Sequence, residues 1–409
     1  MVAFHFPPLA GSSGIQRTLR FAQQLPALGW QPIVLTAHPR AYEQTSDDLA
    51  AAIPAEAIVS RAFALDSSRH LAIRGRYPAF TARPDRWVSW WFGAVPEGLR
   101  LIRRYRPDVL WSTYPIATAH AIGATLARRA GLPWIADFRD PMAQEGYPAD
   151  PVTWRRFAEI EARAIRGAAA SVFVTPGAAR TYRKRYPEAP ANRIRVIENG
   201  YDEETFAAAE RSLTNRPPLV GGCVTLLHSG IVYPSERDPV PLFTALRRLL
   251  DRGTIDSARV RIRFRAPGHG PYLARLAAEH RIEPIIEIAP SIPYRQAIEE
   301  MLGADALLVL QASNCNDQIP AKVYEYCRAG RPILALTDPA GDTAAAVRSF
   351  GLDTIARLDS ADEIERALPA FLDALRSGAA RLPEARAVAA ASRRGRSQEL
   401  HALLEEVSR

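Results

Sequence analysis

The sequence is poor in cysteine: Cys223, Cys315 and Cys327 are the only three in 409 residues. Three thiols cannot form the paired framework that stabilises small secreted domains, so we expect a reducing compartment. No apolar run reaches the roughly 18 residues that a membrane-spanning helix needs. The chain does not open with a basic segment and a long apolar stretch, so we expect no signal peptide and a cytoplasmic location.

The motifs of several large protein classes are also missing from the sequence. It contains no zinc-ligand spacing of Cys and His, no serine nucleophile elbow, no Walker phosphate loop and no repeat of fixed period. These absences exclude zinc proteins of known spacing, serine hydrolases of the elbow type, P-loop nucleotidases and solenoids.

Two stretches with the same order of elements are present. An apolar strand at Val2–Phe6 precedes a small-residue loop at 11–14, a helix over Ile15–Leu28 and a strand over Pro32–Thr36. A second strand, Gly turn and helix begin at Val224. This order is typical of doubly wound α/β folds, and 409 residues suffice for two such halves.

A third stretch carries the most specific local pattern. The apolar run Ala306–Leu310 predicts a buried strand, and Pro320 precedes a short helical segment, where its missing N–H costs little. Gly330 suits the left-handed residue that ends a helix, and Ile333–Leu336 begins the next strand.

Asp317, Lys322 and Glu325 lie near the start of this short helix. Free N–H groups and partial positive charge at a helix start attract phosphate, and Lys322 adds a full charge. Glu325, one turn later, can accept hydrogen bonds from ribose hydroxyls. The set predicts a cradle for a nucleotide diphosphate; the alternative is an ordinary βαβ helix with a solvated Lys and Glu.

The same stretch resembles the donor-sugar signature of the retaining GT-B glycosyltransferases of family four. Asp317 and Glu325 are separated by seven positions, and Gly330-Arg331-Pro332 follows. The first acid is Asp, where the family usually has Glu. The resemblance implies an α/β GT-B fold, in which two Rossmann-like doubly wound domains face a cleft and a C-terminal helix crosses back.

The resemblance also implies a domain plan. Asn199-Gly200-Tyr201-Asp202 is similar to the segment that closes the first GT-B domain, and we expect a linker at about 203–220. The predicted domains are an acceptor-binding domain at 1–205, a nucleotide-sugar-binding domain at 206–385 and a returning helix at 386–409.

The resemblance assigns binding roles residue by residue. Donor binding is assigned to Ser229, Gly230, Arg237, Lys322 and Glu325. A phosphate or acceptor role is assigned to the loop residues Gly11, Gly14 and Arg17. Arginine suits phosphate through paired N–H donors, but Arg237 could instead form a surface ion pair with a neighbouring acid, and the loop could be a plain tight turn.

Catalytic contacts are expected at Asp137, Arg139, Asp140 and Asp317. The first three belong to Asp137-Phe138-Arg139-Asp140-Pro141, which ends a predicted strand, where open α/β sheets place ligand residues. The segment resembles a bacterial polysaccharide subgroup of the family. The alternative is that Asp140 caps the next helix and pairs with Arg139. His120, inside a predicted helix, is interpreted as a packed histidine.

A basic and aromatic segment runs from Arg61 to Arg106, with ten arginines against three acids. Arginine attracts anionic lipid phosphates and tryptophan favours the headgroup depth. We therefore predict a membrane-facing set, with a packed Trp cluster as the alternative: Arg83, Arg86, Trp87, Trp90 and Trp91. Nucleic acid is not expected as a partner, because no binding motif accompanies these residues.

The expected function is sugar transfer, with retention, from a nucleotide-diphosphate sugar to an acceptor. By the subgroup resemblance, the acceptor is a lipid-linked sugar in cell-surface polysaccharide synthesis at the inner face of the membrane. No cofactor or metal is expected, because protein cations can stabilise the leaving diphosphate. Two alternatives stay open: a catalytically silent nucleotide-binding scaffold on the membrane, and a GT-B sugar epimerase.

Overall fold

A computed structural model describes residues 1–10, 12, 14–213 and 218–409. The chain divides into two compact units. Unit 1 comprises Met1–Glu198 and Arg394–Arg409, and unit 2 comprises Asn199–Arg393. Gly11, assigned to the phosphate or acceptor loop, lies outside the described residues.

The elements of unit 1 alternate between helix and strand along most of its length. Its helices are α1 (Gly14–Gln24), α2 (Asp47–Ala51), α3 (Ser67–His70), α4 (Trp90–Tyr105), α5 (Ala117–Ala130), α6 (Pro151–Gly167) and α7 (Pro176–Arg185). Its strands are β1 (Ile33–Ala37), β2 (Ile58–Ala62), β3 (Leu110–Thr113), β4 (Trp134–Arg139), β5 (Ala170–Phe173) and β6 (Ile194–Val196).

The strands of unit 1 pair in parallel, in the orders β1-β2 and β3-β4-β5-β6. The first residues of the chain join these two groups, because Val2 bridges both Leu35 of β1 and Ser112 of β3. The predicted strand Val2–Phe6 is therefore reduced to a bridge at Val2. The direction of chain winding reverses between this bridge and β3, which is where doubly wound sheets bind ligands.

Unit 2 is a second α/β assembly. Its helices are α8 (Glu203–Ser212), α9 (Val240–Asp251), α10 (Gly270–Glu279), α11 (Tyr294–Gly303), α12 (Lys322–Ala329), α13 (Asp342–Ser349), α14 (Ala361–Arg376) and α15 (Ala385–Ala390). Its strands are β7 (Val224–Ser229), β8 (Val260–Arg265), β9 (Ile286–Ala289), β10 (Ala306–Gln311), β11 (Ile333–Thr337) and β12 (Ile355–Ala356). Helix α8 occupies residues that the sequence predicted as linker.

The sheet of unit 2 is parallel, with strand order β12-β11-β10-β7-β8-β9. Its winding reverses between β7 and β10. Both faces are covered: Leu308 and Leu310 of β10 pack in one apolar cluster, whereas Leu307 and Val309 pack in another. Continuous burial explains why these strands read as unbroken apolar runs in the sequence.

The last helix, α16 (Arg393–Ser408), belongs to unit 1 from Arg394 onward. Leu400, Leu403 and Leu404 are buried there against Phe21 and Trp111. Among the described residues, no helix is both long and apolar enough to cross a bilayer.

Candidate functional site

The reversal point of the unit 2 sheet gathers most of the predicted donor-binding residues. Strands β7 and β10 are neighbours and run in parallel, so they end at the same edge of the sheet. Ser229 ends β7 and Gln311 ends β10. The turn after β7 and the helix α12 both start from this edge, which is where an open α/β sheet places its ligand.

Lys322, the first residue of α12, is held by a histidine at this edge. Its Nζ lies 3.0 Å from Nε2 of His228, and Nδ1 of His228 lies 2.9 Å from the carbonyl oxygen of Leu308. Because an ammonium group only donates, Nε2 accepts from Lys322 and Nδ1–H donates to Leu308. Burial, with Lys322 beside it, lowers the pKa of His228 and keeps the ring neutral.

The ammonium group of Lys322 is itself unfavourably placed without a counter-ion. Burial and the nearby Arg237 guanidinium lower its pKa well below the ordinary value, and Glu325 opposes this shift. A bound diphosphate would supply the missing negative charge. The pair Lys322 and Arg237 thus forms a cationic centre that an anion would stabilise.

Gly230 leaves space beside this centre. Its φ of 115° favours glycine, and a Cβ there would lie 3.2 Å from Nζ of Lys322. The preceding residue, Ser229, donates its backbone N–H to the hydroxyl of Tyr326 at 2.7 Å. Helix α12 therefore positions the turn after β7 through two side chains, Lys322 and Tyr326.

Arg237 is held on the same loop by the backbone. Its Nη1 donates to the carbonyl oxygen of Ile231 at 2.6 Å, and its guanidinium lies 5.4 Å from the ring centroid of Tyr233. Within the described residues, its Nε is buried without a hydrogen-bond partner. Among the described residues it forms no ion pair with Glu236 or Asp238, and Asp238 instead accepts from the amide of Val240 and the hydroxyl of Tyr272, so the structure does not have the surface-pair alternative.

Glu325 lies one turn into α12 and is partly buried. Its Oε1 accepts from the hydroxyl of Tyr294 at 2.6 Å, and burial raises its pKa. The other carboxylate oxygen can accept from a ligand hydroxyl. Asp317 is exposed in the turn before α12, eight positions earlier in the chain.

The start of α12 differs from the prediction in one respect. The amides of Val323 and Tyr324 already donate to the carbonyl oxygens of Pro320 and Ala321, at 2.9 and 3.2 Å. These two N–H groups are not available to a phosphate, because the helix begins with a tight turn. The full charge of Lys322 therefore carries more of the anion attraction than the amides do.

In unit 1, Asp137 and Arg17 bind each other. Asp137 is fully buried, and it accepts from Nη2 of Arg17 at 2.8 Å and from Oγ1 of Thr113 at 2.7 Å. Arg17 also donates to the carbonyl oxygens of Ile197 and Glu198, at 3.0 and 3.3 Å. This placement corrects both predicted roles, because the pair holds α1 to β4 and is closed to a substrate.

Arg139 is the unusual residue at the end of β4. The strand shifts register between Asp137 and Arg139, and the φ of Arg139 is 58°, in the left-handed region. In the described structure its Nε is buried without a hydrogen-bond partner, and burial lowers its pKa. A strained, charged residue without full pairing at a strand end is typical of a functional group.

Gly14, at the start of α1, lies against Arg139. A Cβ on Gly14 would approach Nη1 of Arg139 to 2.6 Å and Nδ1 of His5 to 2.5 Å. Burial and Arg139 lower the pKa of His5 to about 4, so its ring is neutral near pH 7. His5 in turn lies 3.0 Å from Oγ of Ser12, within the loop that the sequence predicted to bind phosphate or acceptor.

The alternatives for Asp140 and His120 have different outcomes. Asp140 is exposed, and α6 is capped by Asp150, whose side chain accepts from the amide of Thr153, so the capping alternative is wrong. His120 is buried beside Ser112, with Nδ1 2.8 Å from Oγ, and burial lowers its pKa to about 4. The interpretation of His120 as a packed histidine agrees with this placement.

The predicted membrane-facing set is packed and paired. Trp90 is fully buried, and the ring centroid of Trp87 lies 4.7 Å from that of Phe4. Arg83 pairs with Asp150, Arg86 pairs with Glu43 and Asp66, and Trp91 donates its N–H to Thr125 at 3.3 Å. The structure therefore has the alternative arrangement, in which the tryptophans pack in the core.

Sequence reasoning missed three groups at the unit 2 site: His228, Tyr294 and Tyr326. His228 carried a signal, because it is an ionisable residue next to the carboxyl end of a mostly apolar strand. The two tyrosines carried none, since their roles depend on which helices become neighbours. In the described part of the chain, no cluster of three or more His, Cys, Asp or Glu side chains is placed to hold a metal.

Comparison with known families adds a match to unit 1. Residues 13–200 match the model of the glycosyl transferase 4-like domain. No curated protein matches the chain by sequence.

Solved structures match the whole chain at low identity. They include HepE of Anabaena in complex with UDP (TM-score 0.66, 13% identity, 99% of both chains covered). A UDP-forming trehalose-phosphate synthase of Burkholderia vietnamiensis has a TM-score of 0.67 at 13% identity, with 100% of this chain and 98% of that chain covered. WaaG, a glycosyltransferase involved in lipopolysaccharide biosynthesis, has a TM-score of 0.55 at 13% identity, with 100% and 98% covered. These matches confirm the predicted GT-B fold.

Proposed function

We propose that this chain, a GT-B protein whose residues 13–200 match the glycosyl transferase 4-like domain, transfers a sugar from a nucleotide-diphosphate sugar to an acceptor. The observation that carries the proposal is the cationic centre at the reversal point of the unit 2 sheet. Lys322, held by His228 at 3.0 Å, lies beside Gly230 and near Arg237.

Unit 2 would bind the donor through this centre. The diphosphate lies against Lys322 and Arg237, with Gly230 providing the space for its oxygens. Glu325, oriented by Tyr294, accepts hydrogen bonds from the ribose hydroxyls. Lys322, Arg237 and the positive end of α12 stabilise the charge that develops on the leaving diphosphate, so we expect transfer without a metal ion.

Unit 1 would bind the acceptor near Arg139 and Gly14. A guanidinium with an unpaired Nε suits a charged or hydroxyl-rich acceptor, and neutral His5 beside it can accept a hydrogen bond from a hydroxyl. Asp140 and Asp317 are both exposed, and they are the carboxylates proposed to contact the sugars.

The proposed transfer breaks the bond between the anomeric carbon and the diphosphate oxygen. A bond forms from the acceptor oxygen to the same carbon, and the acceptor proton passes to the leaving phosphate. We propose retention, following the resemblance to the retaining enzymes. The proposed acceptor is a lipid-linked sugar in cell-surface polysaccharide synthesis, which the Asp137–Pro141 segment suggests through its subgroup.

Replacement of Glu325 by Ala tests the donor site. Losing a carboxylate that bonds ribose should weaken nucleotide binding about tenfold to a hundredfold, since hydrogen bonds to a charged group contribute about 1.5–3 kcal/mol. Calorimetric titration with UDP, UDP-glucose and other nucleotides measures the affinity.

Glu279→Ala is the matched control for this change, because Glu279 ends α10 and pairs with the exposed Arg275. The control should bind like the wild type, and both variants should unfold at the wild-type temperature. Equal affinity of Glu325→Ala and wild type would refute the ribose role.

Turnover separates the rival functions. A transferase releases free nucleotide slowly from its donor sugar through water attack, and faster with an acceptor present. A scaffold binds the nucleotide without release, and an epimerase changes the configuration of the sugar. Product analysis by ion-exchange chromatography and NMR distinguishes the three outcomes, and binding without any release would favour the scaffold.

A further inference from the structure

We propose that the segment 71–80 of unit 1 is a docking surface for an anionic lipid bilayer. The residues that carry it are different from the packed tryptophans discussed above. The inference does not depend on sugar transfer, because lipid binding is measured without a donor or an acceptor.

The segment exposes large apolar side chains. Ile73 is 79% exposed and Phe80 is 75% exposed, and Leu71 and Tyr77 are also among the exposed large side chains. Transfer of these side chains from water to an apolar phase is favourable, in proportion to the apolar area that is removed from water. Several exposed large apolar residues in one short segment are typical of an interaction site.

A tight turn presents this apolar stretch. The amide of Ile73 donates to the carbonyl oxygen of Arg76 at 2.8 Å, and the amide of Arg76 donates back at 3.1 Å. Arg74 and Gly75 between them have φ values of 51° and 75°. Positive φ at both central residues defines the tight hairpin turn, so Ile73 and the two arginines are carried on an ordered projection.

The charged side chains of the segment itself are all basic. From Ser67 to Pro84 the sequence has four arginines and no Asp or Glu. Arg74 and Arg76 are exposed, and among the described residues neither forms an ion pair. Two unpaired guanidinium groups between exposed apolar residues match a surface of phosphate headgroups over acyl chains.

Both ends of the segment are tied to the body of unit 1. The amide of Ser67 donates to the carbonyl oxygen of Arg86 at 2.9 Å, and the hydroxyl of Ser67 donates to the carbonyl oxygen of Thr81. Asp66 accepts from the amide of Ser68 at 3.0 Å. Because the base is fixed before binding, the apolar groups lose little conformational entropy on docking.

A bilayer fits these features better than a protein partner does. In an apolar protein groove, the two arginines would have to lose their water or pair with acids at fixed positions. Headgroup phosphates move laterally in a bilayer, so they can pair with the arginines at many positions. Arginine side chains also reach outward to headgroups while neighbouring apolar residues enter the interface. Attachment here would be peripheral and salt-sensitive.

Vesicle co-sedimentation tests the proposal with the full chain. Vesicles of phosphatidylcholine with about 40% phosphatidylglycerol should bind the protein at about 0.1 M salt and release most of it at about 1 M, where the screening length falls from about 10 Å to about 3 Å. Pure phosphatidylcholine vesicles should bind it much more weakly. The variants Arg74→Gln/Arg76→Gln and Ile73→Ser/Phe80→Ser should each reduce the partition coefficient at least about fivefold.

Matched controls make the same chemical changes elsewhere. Arg128→Gln/Arg129→Gln removes two exposed charges from α5, and Val152→Ser/Leu382→Ser removes two exposed apolar side chains. Both controls should bind vesicles like the wild type, and circular dichroism checks that every variant is folded. The proposal is overturned if the wild type does not sediment with anionic vesicles, or if the 71–80 variants bind as well as the controls. If the 71–80 variants bind vesicles like the wild type but bind a partner protein more weakly, that result would also overturn the proposal.

Discussion

The pair of His228 and Lys322 shows how one residue can set the charge of another. His228 is neutral because burial and the adjacent ammonium both disfavour its charged form, so it accepts from Lys322. Lys322 is partly buried beside Arg237, and its pKa is lowered for the same two physical reasons. A group held in this way changes its protonation when an anion arrives.

Diphosphate binding should therefore take up a proton. The free protein loses the Lys322 proton at a pH below the ordinary lysine value of about 10.4, and a bound diphosphate restores the charged form. Affinity for UDP should fall as the pH rises through the lowered pKa of Lys322, at a pH below the ordinary lysine value.

Calorimetry in two buffers of different ionisation enthalpy measures this proton uptake. Lys322→Gln should bind UDP more weakly and with little proton uptake at alkaline pH. Unchanged uptake in that variant would show that another group titrates.

At the scale of single elements, the end of β4 combines strain with function. The strand shifts register between Asp137 and Arg139, and Arg139 has a positive φ of 58°. A left-handed conformation is unfavourable for a residue with a Cβ, and Gly adopts it without strain. The neighbouring helix start at Gly14 accommodates the guanidinium because glycine leaves the space free.

Replacement of Arg139 by Gly should separate stability from activity. Release of backbone strain and of a buried charge should keep the unfolding temperature equal to or above that of the wild type, since relief of such strain is of order 1 kcal/mol. Sugar transfer should fall more than about tenfold, because acceptor contacts are lost.

Arg106→Gly is the matched control for that substitution. Arg106 also has a positive φ, 46°, but it ends α4 and is exposed. The control should gain stability and keep its activity, as measured by differential scanning calorimetry and a transfer assay. Full activity of Arg139→Gly would remove Arg139 from the proposed site.

At the scale of the whole molecule, the two units are built differently along the chain. Unit 2 is one continuous segment, whereas unit 1 needs both ends of the chain. Leu400, Leu403 and Leu404 of α16 are buried in unit 1, and Glu198 pairs with Arg396 at 2.6 Å. The burial of three leucines contributes about 5 kcal/mol or more, comparable to the net stability of a domain.

Fragments of the chain should differ in stability accordingly. Residues 199–393 should fold alone in a cooperative transition, whereas residues 1–198 should unfold at much lower urea or aggregate. Joining 394–409 to residue 198 by a short Gly-Ser linker should restore unit 1, because Glu198 and Arg396 are adjacent. Urea titration followed by circular dichroism measures each midpoint, and equal midpoints for 1–198 with and without 394–409 would contradict the role of α16.

Local pattern predicted several elements closely. Helix α5 spans Ala117–Ala130, as the sequence predicted, and the strand Ala306–Leu310 is β10 with one further residue. Apolar runs bounded by Gly and Pro define such elements without reference to the rest of the chain. The elements α4 and α8 were missed, because their sequences read as a membrane segment and as a linker.

The sequence by itself determined the alternation of strands and helices, the charge and spacing of the α12 segment, and the resemblance that implied GT-B. Only the tertiary structure decided which charges are available. Asp137 and Arg17 are 120 positions apart in the chain, yet they pair with each other. The Trp cluster packs in the core, whereas Ile73 and Phe80 are exposed. The reason is physical: burial and pairing depend on neighbours that are distant along the chain, and a local pattern does not contain them.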